Sequence, residues 1–189
     1  MTTAAAPRGN LREAILETAR NLFFTEGYQS VSMRRIGEDV GCSPMAVYRH
    51  FANKQELLLS ICEESFAEML RSLERPHPDL PMVEQLRHRI GAFIRFCAAH
   101  PSHYRLAFVD AAFAGIDLPS RRCLRQHFRE RVAECIVDRK LAIDPDAYST
   151  TLLACMHGAI LLLISDQKLP VSRDVFLADL IATATGVFN

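Results

Sequence analysis

Val40 to Phe51 read VGCSPMAVYRHF, and this stretch decides the fold. Gly41 supplies a residue that tolerates the left-handed turn needed to stop a helix. Ser43 is a good N-cap, and Pro44 suits the first helical position, where its missing N–H costs nothing. Val47 and Phe51, four apart, share the inner face of the helix so begun. Upstream, SVSMRRIGEDV offers Ser32 as the cap of a second short helix ending at Gly41. Two short helices joined by a glycine turn have the shape of a helix-turn-helix.

The flanks extend the pattern. Leu11, Ile15, Ala19, Leu22 and Phe23 follow one helical face, and Gly27 stops it, giving a first helix over about 10 to 26. From Gln55 to Leu73 the apolar residues Leu58, Ile61, Cys62, Phe66, Met69, Leu70 and Leu73 recur at helical spacing, so one long helix follows. RPHPDLP ends it with three prolines and marks a boundary. The segments Met82 to His100, Ser102 to Phe113, a helix from near Pro119, Pro145 to Ser165 and Arg173 to Phe188 are helical again. No strand-like alternation appears, so the expected class is all-α with about nine helices. The expected domains are 9–69 and 82–189.

Composition is that of an ordinary globular chain. Of 189 residues 49% are hydrophobic and 23% charged, and 22 Lys/Arg balance 22 Asp/Glu. No run of eighteen uncharged apolar residues occurs, and MTTAAAPRGN has no apolar h-region. A cytoplasmic protein with a short frayed start, and with no membrane partner, is expected. Six scattered cysteines without paired spacing favour reduced, packed thiols.

In the penultimate helix Leu152, Leu153, Met156, Ile160, Leu161, Leu162, Leu163 and Ile164 cover nearly the whole circumference, which requires burial on all sides. The last helix carries Phe176, Leu177, Leu180, Ile181, Ala184, Val187 and Phe188. Paired across a two-fold axis, these two helices would form a four-helix interface, so a homodimer is expected.

The run ILETARNLFFTEGYQSVSMRRIGEDVGCSPMAVYRHFANKQELL resembles the N-terminal domain of the tetracycline-repressor (TetR/AcrR-type) family of transcriptional regulators. The resemblance rests on A-x-x-L-F-x-x-x-G-Y, then I-x-x-x-V-G-x-S, then V-Y-R-H-F and K-x-x-L-L in that order, over roughly residues 10 to 70. It implies a three-helix DNA-binding domain, joined by a long helix to a C-terminal ligand-binding and dimerisation domain. The implied partners are a double-stranded operator and a small-molecule effector, with no cofactor. The expected activity is repression by a homodimer on a palindromic site, relieved by a small, largely apolar ligand.

Tyr48, His50 and Lys54 resemble the family's phosphate-contacting positions. A recognition helix presents its first turn to base edges while flanking groups hold phosphates. Ser32 and Ser43 can give a hydroxyl to a cap or to a phosphate. Arg34 is the expected base contact outside that helix, since a fork to guanine is the commonest specific pairing. Arg35 and Arg49 add positive charge to the same face, Arg49 towards a base or a phosphate. Pro44, Met45 and Ala46 lack hydrogen-bonding side chains and would meet thymine methyls. Residues 1–75 hold nine Arg/Lys against ten Asp/Glu, so few phosphate contacts and a modest salt dependence are expected.

FIRFCAAHPSHYRLAF and CMHGAILLL resemble the C-terminal domain of a subgroup of the family with a Trp-His-Gly signature, which reads Met156-His157-Gly158 here. An effector pocket lined by Phe93, Phe96, Cys97, His100, Tyr104, Phe108, Phe113, Met156 and His157 would suit an apolar or aromatic molecule. Two dimer-related recognition helices must sit about 34 Å apart to enter successive major grooves. A ligand that changes this spacing through the long connecting helix would lower DNA affinity.

Two other readings compete. A metal or thiol sensor on the same scaffold would use Cys97, His100 and His103, yet no fourth ligand is evident and no metal is expected. A helical enzyme or carrier is the other. The chain carries no G-x-S-x-G, phosphate loop or H-E-x-x-H, so no catalytic residues are assigned.

Overall fold

The computed structural model describes residues 10–73, 79–165 and 168–189, apart from the side chain of residue 72. The expected start of the chain before Asn10, and most of the proline-rich boundary, lie outside them. Every regular element among the described residues is helical.

The helices are α1 (Leu11–Glu26), α2 (Met33–Val40), α3 (Pro44–His50), α4 (Lys54–Leu73) and α5 (Met82–Ala99). Next comes a continuous run made of α6 (Pro101–Tyr104), a π-helical stretch (Arg105–Asp110) and α7 (Ala111–Phe113). Then follow α8 (Pro119–Asp138), α9 (Pro145–Ile164) and α10 (Arg173–Thr185), which ends in a 3-10 turn (Gly186–Phe188). Counting α6 to α7 as one helix gives nine among the described residues, the expected number.

Packing divides the chain into two compact units whose limits differ from the sequence boundaries. The described part of the first is residues 10–65 together with Ser102–Leu118; the second is Phe66–Pro101 with Pro119–Asn189. The first division therefore falls inside α4, and the run after Pro101 joins the N-terminal helices.

In the first unit, Ile15, Ala19 and Phe23 of α1 meet Ile36 of α2, Val47 and Phe51 at α3, and Leu57, Leu58 and Ile61 of α4, each at most 1% exposed. Burial of such side chains contributes roughly 1.5–3 kcal/mol apiece. Phe23 and Tyr28 rings meet edge-on at 5.3 Å. Arg12 lies 4.8 Å over the Phe51 ring, and Arg20 pairs with Glu64. From the second segment, His103 stacks against Phe24 at 4.6 Å between ring centres.

In the second unit, α5, α8 and α9 share a core of Phe93, Phe128, Val132, Met156 and Ile160, all fully buried. Arg87 joins α5 to the chain end, donating to Thr185 Oγ1 at 2.8 Å and Asn189 Oδ1 at 2.6 Å. Tyr148 donates to the Ala184 carbonyl at 2.5 Å, and Arg129 holds Asp146 through both carboxylate oxygens at 2.5 and 3.1 Å.

One expectation about α9 changes. The helix is long and apolar enough to cross a membrane by length and composition, with a mean hydropathy of 1.7. Its Leu152, Met156, Ala159 and Ile160 nevertheless pack into the core of the unit. Nor is it buried all round within one chain: Leu161 is 50% and Leu162 39% exposed. They share a stripe with Thr151, Ala154, Cys155 and Gly158, all exposed.

A candidate nucleic-acid interface

The outward face of α2 and α3 is set by three local devices. Ser32 Oγ accepts from the Arg35 N–H at 3.1 Å, and Ser43 Oγ accepts from the Ala46 N–H at 3.2 Å. Each thus satisfies an orphan donor at the start of its helix. Gly41 closes α2 in the left-handed region at φ 78° and ψ 31°, with Cys42 N–H donating back to the Gly37 carbonyl at 2.9 Å.

Gly37 sets the spacing between the two helices. A Cβ built there would stand 3.1 Å from the Cys42 carbonyl oxygen and 3.3 Å from Val47 Cγ2. Only hydrogen fits without a shift, so Gly37 permits the close approach. Cys42 fills the turn half-buried, and desolvation pushes its thiol up.

With Val47 and Phe51 turned fully inward, Met45 (66% exposed) and Tyr48 (50%) face out. Pro44, Arg49 and His50 are exposed beside them, while Ala46 is half-buried. The structure therefore brings Ser43, Pro44, Met45, Tyr48, Arg49 and His50 onto one short helix and its cap.

The cations of this region differ in availability. Arg34 is bound to Glu38 at 2.9 Å. Arg35 is bound to Asp39 at 3.0 Å and lies 3.6 Å from Glu26. The hydrogen bond that Arg35 donates to Asp39 is the main reason its guanidinium is held more firmly charged than usual. Both pairs are exposed and exchangeable for a phosphate at little cost.

Lys54 is occupied differently. Its Nζ donates to the Tyr28 carbonyl at 2.8 Å and the Val31 carbonyl at 2.9 Å, with Gln29 at 3.4 Å. Desolvation there pushes its pKa down. All three ammonium protons face the 28–31 loop, so Lys54 braces the entry to α2. The sequence gives no local signal for this, since the partners lie more than twenty residues upstream.

The expected effector lining divides between the units. In the second, the Phe93 ring meets Phe128 at 5.8 Å and His157 at 5.9 Å, both edge-on. Met156 is fully buried, and burial pushes the His157 imidazole below its usual range. Phe96 and His100 lie 4.8 Å apart. Cys97 is buried, and desolvation pushes its thiol up to about 12, which disfavours a metal-binding thiolate. In the first unit, Tyr104 and Phe108 pack at 5.2 Å, and Phe113 is 86% exposed. An open cleft of about 490 Å³ in the second unit is lined instead by Ile94, Arg95, Ala98, Leu163, Arg173 and Leu177, among others.

Arg89 is a residue the sequence reading passed over. It is only 8% exposed and precedes Phe93, Phe96 and His100 on one face of α5. A charged residue inside that apolar stripe was the available signal.

The first unit is thus a helix-turn-helix scaffold whose second short helix is capped, rigidly spaced and turned outward. Residues 15–61, which hold the helix-turn-helix, match the family described as bacterial regulatory proteins, tetR family. The transcriptional repressor AcnR of Corynebacterium efficiens is 38% identical over 64 residues, 34% of this chain and 34% of AcnR. The match thus spans about a third of that relative's length.

Among the described residues the all-helical fold continues beyond the matched segment. The structure of a bacterial regulatory protein in the tetR family from Rhodococcus RHA1 superposes with a TM-score of 0.73 at 18% identity, covering 96% of this chain and 98% of that one. AibR, solved with isovaleryl coenzyme A and operator DNA, superposes with a TM-score of 0.67 at 20% identity, covering 91% and 96%.

Proposed function

We propose that the protein is a cytoplasmic, DNA-binding transcriptional repressor that binds a palindromic operator as a homodimer and is released by a small, largely apolar ligand. The observation that carries this is the face of α3. A helix capped by Ser43 and locked from behind by Val47 and Phe51 presents Met45, Tyr48, Arg49 and His50 outward. Pro44, Met45 and Ala46 meet thymine methyls at the leading turn, while Tyr48 and His50 hold phosphates. Ser32 and Ser43 fix the helix starts, Arg34 and Arg35 exchange carboxylates for DNA, and Lys54 holds the loop before α2 in place.

DNA binding is assigned to residues 9–69 and regulation to 82–189, with Ser102–Leu118 of the latter packed into the first unit. Dimerisation uses the outer faces of α9 and α10, where Gly158, Leu161 and Leu162 are exposed in the single chain. The effector is held along the stripe of Phe93, Phe96 and His157. Met156-His157-Gly158, with His157 against Phe93, supports placing this domain beside the Trp-His-Gly subgroup. AibR, of the same fold, is seen with an acyl coenzyme A and operator DNA, which supports a small molecule and an operator as the two kinds of partner.

Selection of bound duplexes from a randomised DNA pool tests the reading, run beside a Tyr48→Ala/His50→Ala double variant. Recovery of an inverted repeat by the wild type alone is the expected result. Enrichment of the same site by both proteins, or of no site by either, would overturn it.

A further inference from the structure

Arg89 is a buried cation with no ion-pair partner among the described residues. It is 8% exposed. Its one hydrogen bond goes from Nη1 to the Gln85 carbonyl of its own helix at 3.2 Å, and its Nε has no acceptor. Burying an unpaired charge is among the costliest arrangements in a fold.

The packing of α5 on α8 explains what stands nearby. Phe93 meets Phe128 across the two helices. Arg89 precedes Phe93 by one turn, and Arg131 follows Phe128 by one turn. The groups whose charge Arg89 feels are Arg131, Glu134 and Cys135, and Arg131 opposes it. Arg131 Nη2 is bound to Glu134 at 2.8 Å, while its Nε is also buried without an acceptor. Arg131 Nη2 also stands 3.9 Å from Glu130, whereas no carboxylate lies within ion-pair distance of Arg89 among the described residues, so the Arg89 charge is left uncompensated beside an aromatic wall.

We propose that Arg89 and Arg131 form an anion subsite for a monocarboxylate whose apolar or aromatic body lies along Phe93 and Phe128, so that the effector is an organic acid. This rests on the ligand-released reading given above and makes it specific. A planar carboxylate accepts two parallel bonds from a guanidinium fork. A single negative charge neutralises Arg89, whereas a phosphate monoester would overshoot it. His157, which meets Phe93 edge-on and whose charged form is disfavoured by burial, adds no competing charge.

The test uses the full-length protein without DNA, so its outcome is independent of operator binding. Thermal midpoints are measured for wild type, Arg89→Met and Arg95→Met/Arg173→Met, each alone and with millimolar octanoate, octanamide, benzoate or benzamide. The double variant changes the separate cleft on the other side of α5. Without ligand, Arg89→Met should melt about 2–4 °C higher than wild type, because a buried unpaired charge has been removed. A lower midpoint would make Arg89 a structural residue and overturn the proposal.

At least one carboxylate should raise the wild-type and double-variant midpoints by about 3 °C or more, its amide should not, and Arg89→Met should abolish the shift. The proposal falls if no carboxylate shifts the wild type, if acid and amide act equally, or if the shift survives in Arg89→Met.

Discussion

Lys54 and Tyr28 are joined twice: the ammonium stands 4.3 Å from the ring centre and donates to the same residue's carbonyl oxygen at 2.8 Å. Lys54→Met removes this contact and the bond to Val31 together. A hydrogen bond from a charged donor contributes about 2 kcal/mol, so the melting midpoint should fall by about 5 °C. Circular dichroism melting checks this, and an unchanged midpoint with weakened DNA binding would return Lys54 to a phosphate-contacting role.

Tyr48→Phe removes one exposed hydroxyl per subunit and two per dimer. At about 1 kcal/mol each, operator affinity should fall about thirtyfold. Stability should stay within about 0.5 kcal/mol of wild type, as for other surface changes. Fluorescence anisotropy on the selected duplex, beside a thermal melt, separates the two effects.

Salt dependence should follow the ion pairs. Among the cations of residues 32–54, only Arg49 lacks a partner within the described chain. Arg49→Ala should make the slope of log affinity against log salt shallower by about 2 for the dimer. Glu38→Gln frees Arg34 and should raise affinity at low salt. Titrations at several salt concentrations measure both.

His157 gives a signed pH effect. Its folded pKa lies below the ordinary value because burial disfavours the imidazolium. The unfolded chain therefore takes up the proton first as pH falls. The contribution to stability is complete above about pH 6.5 and declines below it, by at most about 1.4 kcal/mol per pH unit. Between pH 7.5 and 5 the wild-type midpoint should drop more steeply than that of His157→Gln, as followed by calorimetry.

Leu161→Glu places a carboxylate on the exposed stripe of α9. Folding of the single chain should be unaffected, while the dimer should dissociate and operator affinity collapse. Sedimentation velocity reads the mass directly, and a wild type already monomeric would refute the interface.

Much of the first unit was legible in the sequence because its determinants are local. Gly27 and Gly41 stop helices by their own backbone freedom, and Ser32, Ser43 and Pro44 start them within three residues of their partners. The same locality makes the outward face of α3 readable. What escaped depends on distant partners: the grip of Lys54 on the 28–31 carbonyls, and the burial of Arg89 opposite Arg131. The π-helical register at Arg105–Asp110 has no side-chain periodicity of its own to betray it. The full apolar girth of α9 was read correctly as composition, yet within one chain only its inner side is covered.

The first unit is discontinuous. Its surface around Phe24 and Gly27 is completed by His103 and by Arg105, whose Nη2 lies 3.3 Å from where a Cβ of Gly27 would stand. Cutting the chain at the proline-rich stretch would not release a self-sufficient DNA-binding fragment, since residues 102–118 would be left on the other piece. A chimera that transplants this reader onto another sensor must carry two separate stretches of sequence, and a library that shuffles only the first seventy residues will break a seam it cannot see.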